Sequence, residues 1–389
     1  MQDSKKIIFP FLLVFFEMAT YLSSDMYLPA LPTVMRDFSI SHQQVQWTLT
    51  AWFLGTISVQ LILGPIADRY GRKTVLCVGG VVFTISTLVC ALTTHFYILL
   101  IARFIQGMGI CFMAVPGYAS IHELFEQKEA IKLLALMGSI SVLAPAFGPL
   151  LGSVILTLLN WRWIFGFLVI WSTIAICLLI KWMPETLPLE KRHSLHLHTI
   201  LKNYWHILCN FRFIAIVFVY GLLFCGLITW IAAGPFLVID RFQQSPMMFS
   251  IYQTLIFISY ILANYVVKKL IDTTNIKKLI QFGLFVCLVM SFISLGLAIQ
   301  FPEFMLGMII TYIVYAFGSG FAFAPLSRMA VEAVDAPMGS RIAVFSMLMS
   351  SFGALGSILV SLFYNGTLLS LALIILPVMI VAFILYYFN

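Results

Sequence analysis

The sequence predicts an all-α polytopic membrane protein with twelve transmembrane helices in two six-helix halves. Three observations carry that prediction. Hydrophobic residues make up 62% of the 389 positions and charged residues only 10%, with a mean hydropathy of +1.04, whereas soluble domains are about 25% charged. Apolar runs of about 20 residues, the length that crosses a bilayer core, recur along the whole chain. The longest polar interval, 184–210, falls near the middle and divides residues 1–183 from 211–389 as a cytoplasmic linker would.

In order, the predicted spans are 7–30, 44–67, 74–94, 97–121, 133–158, 163–183, 211–239, 247–268, 278–300, 303–327, 340–363 and 367–388. Lys and Arg accumulate in cytoplasmic loops and so orient them. Of the 22 basic residues, 18 lie on the side of the N-terminus, Arg36, Arg162 and Arg241 on the other, and Arg103 inside span 4. Both termini are therefore expected in the cytoplasm. The net charge of +7 reports topology and offers no support for nucleic-acid binding. Seven cysteines, with no CxxC or pairing pattern, indicate neither a disulfide framework nor a zinc site.

Span 1 starts behind Lys5-Lys6 in the manner of a signal peptide, but the run is too long for one and contains Glu17, so it reads as a retained helix. An acidic residue at the centre of a membrane helix costs roughly 2.5–3.5 kcal/mol, and such groups mark substrate, ion or proton pathways. Glu17, Tyr21 and Asp25 follow one another at i+4 and form a stripe about 12 Å long that a single cavity can see. Burial disfavours a charged carboxylate, and water or an arriving cation restores the charge. A proton and a substrate cation then compete for one negative charge, and no bond need be made or broken. Asp25 is the expected proton site and Glu17 the expected selector of cationic substrate. Trp230, Phe236 and neighbouring aromatics offer apolar surface for ligands of varied shape.

Three further runs are dense in unusual residues. After span 2 comes Gly64-Pro65-Ile66-Ala67-Asp68-Arg69-Tyr70-Gly71-Arg72-Lys73, a tight turn that can present Asp68 to the positive end of another helix, such as span 11 near Gly339-Ser340. Span 4 holds Leu99, Arg103, Gln106, Gly107 and Gly109. Span 5 holds Ala144-Pro145-Ala146-Phe147-Gly148-Pro149-Leu150-Leu151-Gly152-Ser153, where small residues at i and i+4 admit a close neighbour and prolines bend the helix.

These runs resemble the motifs of the major facilitator superfamily. The span 1 sequence Glu17-Met18-Ala19-Thr20-Tyr21-Leu22-Ser23-Ser24-Asp25-Met26, with Gly117-Tyr118-Ala119-Ser120 and Ala135-Leu136-Met137, is similar to its drug:proton antiporters, the MdfA and Bcr/CflA groups. The resemblance implies the major facilitator fold, an acidic pair at Glu17 and Asp25, cavity residues at Tyr21 and Met137, and a proton-coupling arginine at Arg103. It also implies gating residues at Gly64, Asp68, Arg69, Gly71, Arg72, Gly148, Pro149 and Gly152, and a matching basic position at Arg328. Ala144 and Ser153 replace glycines of the antiporter signature, and both remain small.

In the linker, Ile200, Leu201, Tyr204, Trp205 and Leu208 fall at helical spacing opposite Lys202, Asn203 and His206, as in a short helix lying on the inner membrane face. His193, His196 and His198 have no Cys or acidic ligand at matching spacing and receive no metal. The halves repeat weakly at an offset of about 205, pairing Pro29 with Pro235, Asp68 with Asp272 and Phe147-Gly148 with Phe352-Gly353. Nothing in the second half answers Glu17, Asp25 or Arg103.

The expected function is proton-coupled efflux of lipophilic, cationic or neutral drugs by alternating access. The setting is a monomer in the bacterial inner membrane, without cofactor, with small drug-like molecules, protons and the bilayer as partners. A proton-coupled exporter or importer of a specific metabolite or siderophore is the alternative. An integral-membrane enzyme is a further one, disfavoured because the sequence has no HExxH, no P-loop and no intramembrane His/Asp cluster.

Overall fold

The computed structural model describes residues 2–188, 197–270 and 273–388. Asp272, the repeat counterpart of Asp68, lies outside the described residues, as do Lys191, Arg192, His193 and His196 of the linker and the side chains of Lys5, Lys6, Lys132, Ala135 and Leu136.

The described chain is helical throughout. Its helices are α1 Gln2–Asp25, α2 Leu31–Asp37, α3 His42–Gln60, α4 Leu63–Tyr70, α5 Arg72–Leu92, α6 Phe96–Leu124, α7 Gln127–Leu158, α8 Arg162–Trp182 and α9 Leu197–Leu208. There follow α10 Phe211–Pro235, α11 Pro246–Leu270, α12 Ile276–Gln300, α13 Met305–Glu332, α14 Met338–Phe363 and α15 Leu368–Tyr387. Among the described residues, ten apolar stretches are long enough to cross a membrane unbroken. The pair α3 and α4, bent by 52°, and the apolar stretch Val142–Leu158 of α7 fill the other two positions of a twelve-helix membrane fold.

Proline chemistry accounts for the departures from twelve straight spans. Span 1 breaks after Asp25, passes through a short 3-10 turn at Leu28–Ala30 and resumes as α2, because Pro29 and Pro32 bring no N–H to a continuing helix. The apolar span therefore reaches Asp37, further than position 30. Span 2 breaks between Gln60 and Leu63, ahead of Pro65. Span 7 passes beyond Pro235 into a π turn at Phe236–Arg241. Caps fix other ends: Ser41 and Gln44 close a capping box on α3, and Asn210 accepts from the Phe213 N–H at the start of α10.

Two groups of helices pack internally. α1 lies against α6, α7 and α8, while α6 also packs on α3 and α5. α10 lies against α13, α14 and α15, while α13 also packs on α11 and α12. The groups meet along two long seams, α3 with α14 and α7 with α11. Apolar side chains such as Ile85, Ile101, Ile170, Phe285 and Leu373 stay exposed on the outside, where lipid replaces water.

Candidate substrate and proton site

α1 carries its two carboxylates inward. Glu17 is fully buried, and its Oε1 accepts a 2.7 Å hydrogen bond from the Tyr118 hydroxyl of α6, while Oε2 has no partner. Thr20 and Ser23, beside the stripe, return their hydroxyls to backbone carbonyls one turn back, at Glu17 and Thr20. Asp25 ends the helix and is 8% exposed.

Span 5 comes directly against this end of α1. A Cβ at position 148 would stand 2.6 Å from the Asp25 Cβ, and one at position 152 would run into the Met26 carbonyl oxygen. Only glycine permits that approach. The side chain of Pro149 shares this stretch, and its carbonyl accepts from Ser250 of α11 at 2.8 Å.

Arg103 of α6 is fully buried. Its Nη1 donates to the Ser23 carbonyl at 3.0 Å and to Oε1 of Gln106, whose amide in turn reaches Thr87 at 2.9 Å. The guanidinium lies 4.9 Å from the Tyr27 ring centroid and 5.8 Å from that of Phe165. It thus grips span 1 at Ser23 near the end of α1 and at Tyr27 just beyond it, yet among the described residues the structure forms no ion pair between Arg103 and Asp25. Nε and Nη2 are buried without partners. A desolvated cation with unused donors is a costly arrangement, and it places a fixed positive charge beside the acidic stripe.

The predicted cavity residues divide. Tyr21 is half-buried on the Glu17 stripe, and Met137 is buried in a cluster with Leu13 and Phe16 of α1. Trp230 and Phe236 of the second group are buried: the Trp230 indole donates to Gln253 at 2.6 Å and packs on Tyr312, and Phe236 packs on the His42 ring. The fold therefore brings Glu17, Tyr21, Asp25 and Arg103 into one neighbourhood around α1, and Trp230 and Phe236 belong to the same apolar core as Leu22, Met26 and Tyr27, which flank Asp25.

At one end of the bundle lies the charged loop. Asp68 pairs with Nη2 of Arg72 at 2.6 Å, Arg72 Nε reaches Glu123 at 3.3 Å, and the Arg72 N–H donates to Glu185 at 2.9 Å. Gly71, at φ 97°, turns the chain between α4 and α5, Gly64 sits in the first turn of α4, and the Arg69 guanidinium covers the Tyr70 ring. Asp68 thus stays within its own loop in this state, and Met338 and Gly339 at the start of α14 are exposed. Arg328 pairs with Glu332 one turn on and is exposed.

The opposite end is sealed by hydrogen bonds between the two groups. Gln46 donates to the Ala232 carbonyl at 2.6 Å, Thr50 meets Ser357 at 2.8 Å, Ser153 meets Ser250 at 2.6 Å, and Thr254 donates to the Ala146 carbonyl at 2.6 Å. His42 Nε2 lies 3.3 Å from the Asp240 carboxylate across the same seam.

Sequence reasoning assigned no role to Tyr118, Gln106, Glu123, Glu185 or the serines of the seams. A signal existed for the first: Tyr118 follows Arg103 by about four turns and so shares its face. The others depend on which distant helices meet.

A twelve-helix membrane bundle with carboxylates and a guanidinium buried inside it is the architecture of a membrane transporter. The chain belongs to the major facilitator superfamily, whose family model matches residues 13–357. It is 32% identical over 352 residues to the multidrug transporter MdfA of Yersinia pestis bv. Antiqua (strain Angola), covering 90% of this chain and 86% of that protein. It is also 32% identical over 362 residues to the chloramphenicol resistance protein CraA of Acinetobacter baumannii, covering 90% and 84%. Among solved structures, a bacterial homologue of the human lysosomal transporter Spinster, inward-facing and unoccupied, superposes with a TM-score of 0.79 at 12% identity over 99% of this chain and 96% of that one, a likeness of fold.

Proposed function

We propose that this protein exports lipophilic drug-like molecules, cationic and neutral, from the bacterial cytoplasm in exchange for protons. The observation that carries the reading is the buried stripe of Glu17, Tyr21 and Asp25, with Tyr118 on one carboxylate and Arg103 clasping the turn around the other. The resemblance to MdfA and CraA along nine-tenths of the chain supports the class of substrate.

In this reading residues 1–183 and 211–389 are the two halves, 184–210 joins them, and both termini face the cytoplasm. The Arg72 end is then cytoplasmic and the sealed His42 end is external, so the structure is closed to the outside. Protonation of Asp25 removes its charge and loosens its dependence on Arg103. A cationic drug at Glu17 competes with protons for the stripe. Rocking of the halves about the α3–α14 and α7–α11 seams carries the site from one side to the other. Gly148 and Gly152 keep α7 against α1, so that a change of charge at Asp25 is felt by the helix that forms the α11 seam.

Purified protein in liposomes, given an imposed pH gradient and a panel of cationic, neutral and anionic drugs, tests the proposal. Movement of cationic and neutral drugs against the proton flow is expected. Accumulation in the direction of proton flow, or transport of a single metabolite only, contradicts it.

A further inference from the structure

The break in span 2 leaves a specific bond to be made. Pro65 has no N–H, so the carbonyl of Leu61, four residues earlier, lacks the partner that a continuous helix supplies. A carbonyl left open away from water is costly, because its lost hydration is not replaced. The structure closes it from far along the chain: the Tyr204 hydroxyl of α9 donates to the Leu61 carbonyl at 2.8 Å.

Tyr204 is held for this. It sits in a buried cluster with Ile207, Phe213, Val334 and Val344, against which Leu61 also packs. Burial, and after it the Asp68 carboxylate, keep the phenol above its ordinary titration range, so it stays protonated and a donor. The outer face of the same helix leaves Leu201 and Trp205 64% and 70% exposed beside Lys202, an amphipathic surface suited to the bilayer interface. α9 therefore has one side for the membrane and one for the bundle. Its bundle side packs on α10 and α14 and reaches across to the end of α3.

We propose that Tyr204 is a positioning residue for transport: by capping the carbonyl that Pro65 leaves open, it ties the linker helix to the hinge of span 2 and favours the state seen here, sealed at the His42 end. The bond joins α9, packed on the second group of helices, to α3 of the first, so motion of the groups at the Arg72 end must stretch or break it. The proposal rests on the alternating-access reading above, and it assigns to the linker a part in setting the balance of states.

The test is a double-mutant cycle on the full chain in lipid nanodiscs, with native cysteines replaced by serine and probes on Tyr70→Cys and Met338→Cys, both exposed at the Arg72 end. Distances between the probes report the ratio of the two states. Tyr204→Phe keeps the ring and removes only the hydroxyl, and it should shift the ratio about fivefold toward closure of the Arg72 end, the size of one net hydrogen bond. Drug affinity should stay unchanged. Pro65→Ala restores an N–H that can bond Leu61, and in that background Tyr204→Phe should shift the ratio less than about twofold. Equal shifts in both backgrounds, or none with Pro65 present, overturn the proposal while leaving alternating access standing. A single distance population in every variant contradicts alternating access itself and the proposal with it.

Discussion

At the scale of single residues, the two carboxylates of α1 have different surroundings and so different expected roles. Glu17 accepts a phenolic hydrogen bond and keeps one oxygen free, an arrangement that can take a cation in place of lost water. Asp25 stands where Arg103 touches Ser23 before it and Tyr27 after it, with no ion pair between Asp25 and Arg103 among the described residues. Asp25→Asn is nearly isosteric, and pH-gradient-driven drug transport should fall to the level of protein-free liposomes while the protein still inserts and elutes as wild type. Undiminished coupled transport would exclude Asp25 as the proton site. Glu17→Gln should lower transport of monocationic drugs about tenfold, equivalent to about 1.4 kcal/mol, and spare neutral ones, measured as initial rates on matched substrates. Equal loss of both would remove the charge-selection role. These carboxylates were legible in the sequence because an ionised group inside an apolar run has a cost that local context alone reveals. Tyr118 carried a weaker signal, its place on the face of Arg103, and its role needed the partner 101 residues away.

At the scale of elements, proline and glycine decide how the helices meet. The apolar runs and their order could be read directly, since twenty apolar residues have few other uses in a chain. The breaks in spans 1 and 2 follow from Pro29, Pro32 and Pro65, prolines visible in the sequence, where the bounds 7–30 and 44–67 marked no interruption. Invisible to the sequence were the seams: Ser153 is a small residue of span 5 until Ser250 of α11 lies 2.6 Å away, and neither carries a local mark of the other. Gly152 gives the sharpest prediction here. A side chain at that position meets the Met26 carbonyl, so Gly152→Leu should cost about 1–3 kcal/mol through overpacking, seen as a lower thermal unfolding midpoint of the detergent-solubilised protein. An unchanged midpoint would contradict the close approach of α7 to α1. The loop after span 2 was recognisable by its charges and glycines, but the expected partner of Asp68 at the start of α14 is not engaged in this state. Its carboxylate lies with Arg72, and Glu123 and Glu185 complete the cluster.

At the scale of the whole molecule, several hydrogen bonds join the two groups of helices at the His42 end, while the Arg72 end keeps the Asp68–Arg72–Glu123 and Arg328–Glu332 ion pairs within their own groups, is crossed by the Tyr204–Leu61 bond, and exposes the start of α14. That asymmetry is what the proposed alternating-access cycle expects of one of its states, with the buried charges between the two ends. Proton coupling is the central claim, and drug-dependent proton movement tests it most directly. Liposomes containing the protein and a trapped pH dye, clamped at zero voltage with a fixed pH gradient, are given a neutral drug, whose own movement carries no charge. The account predicts that adding drug accelerates proton flux opposite to the drug, and that Asp25→Asn abolishes the acceleration. Drug crossing the membrane through the wild-type protein with no accompanying proton flux would contradict it.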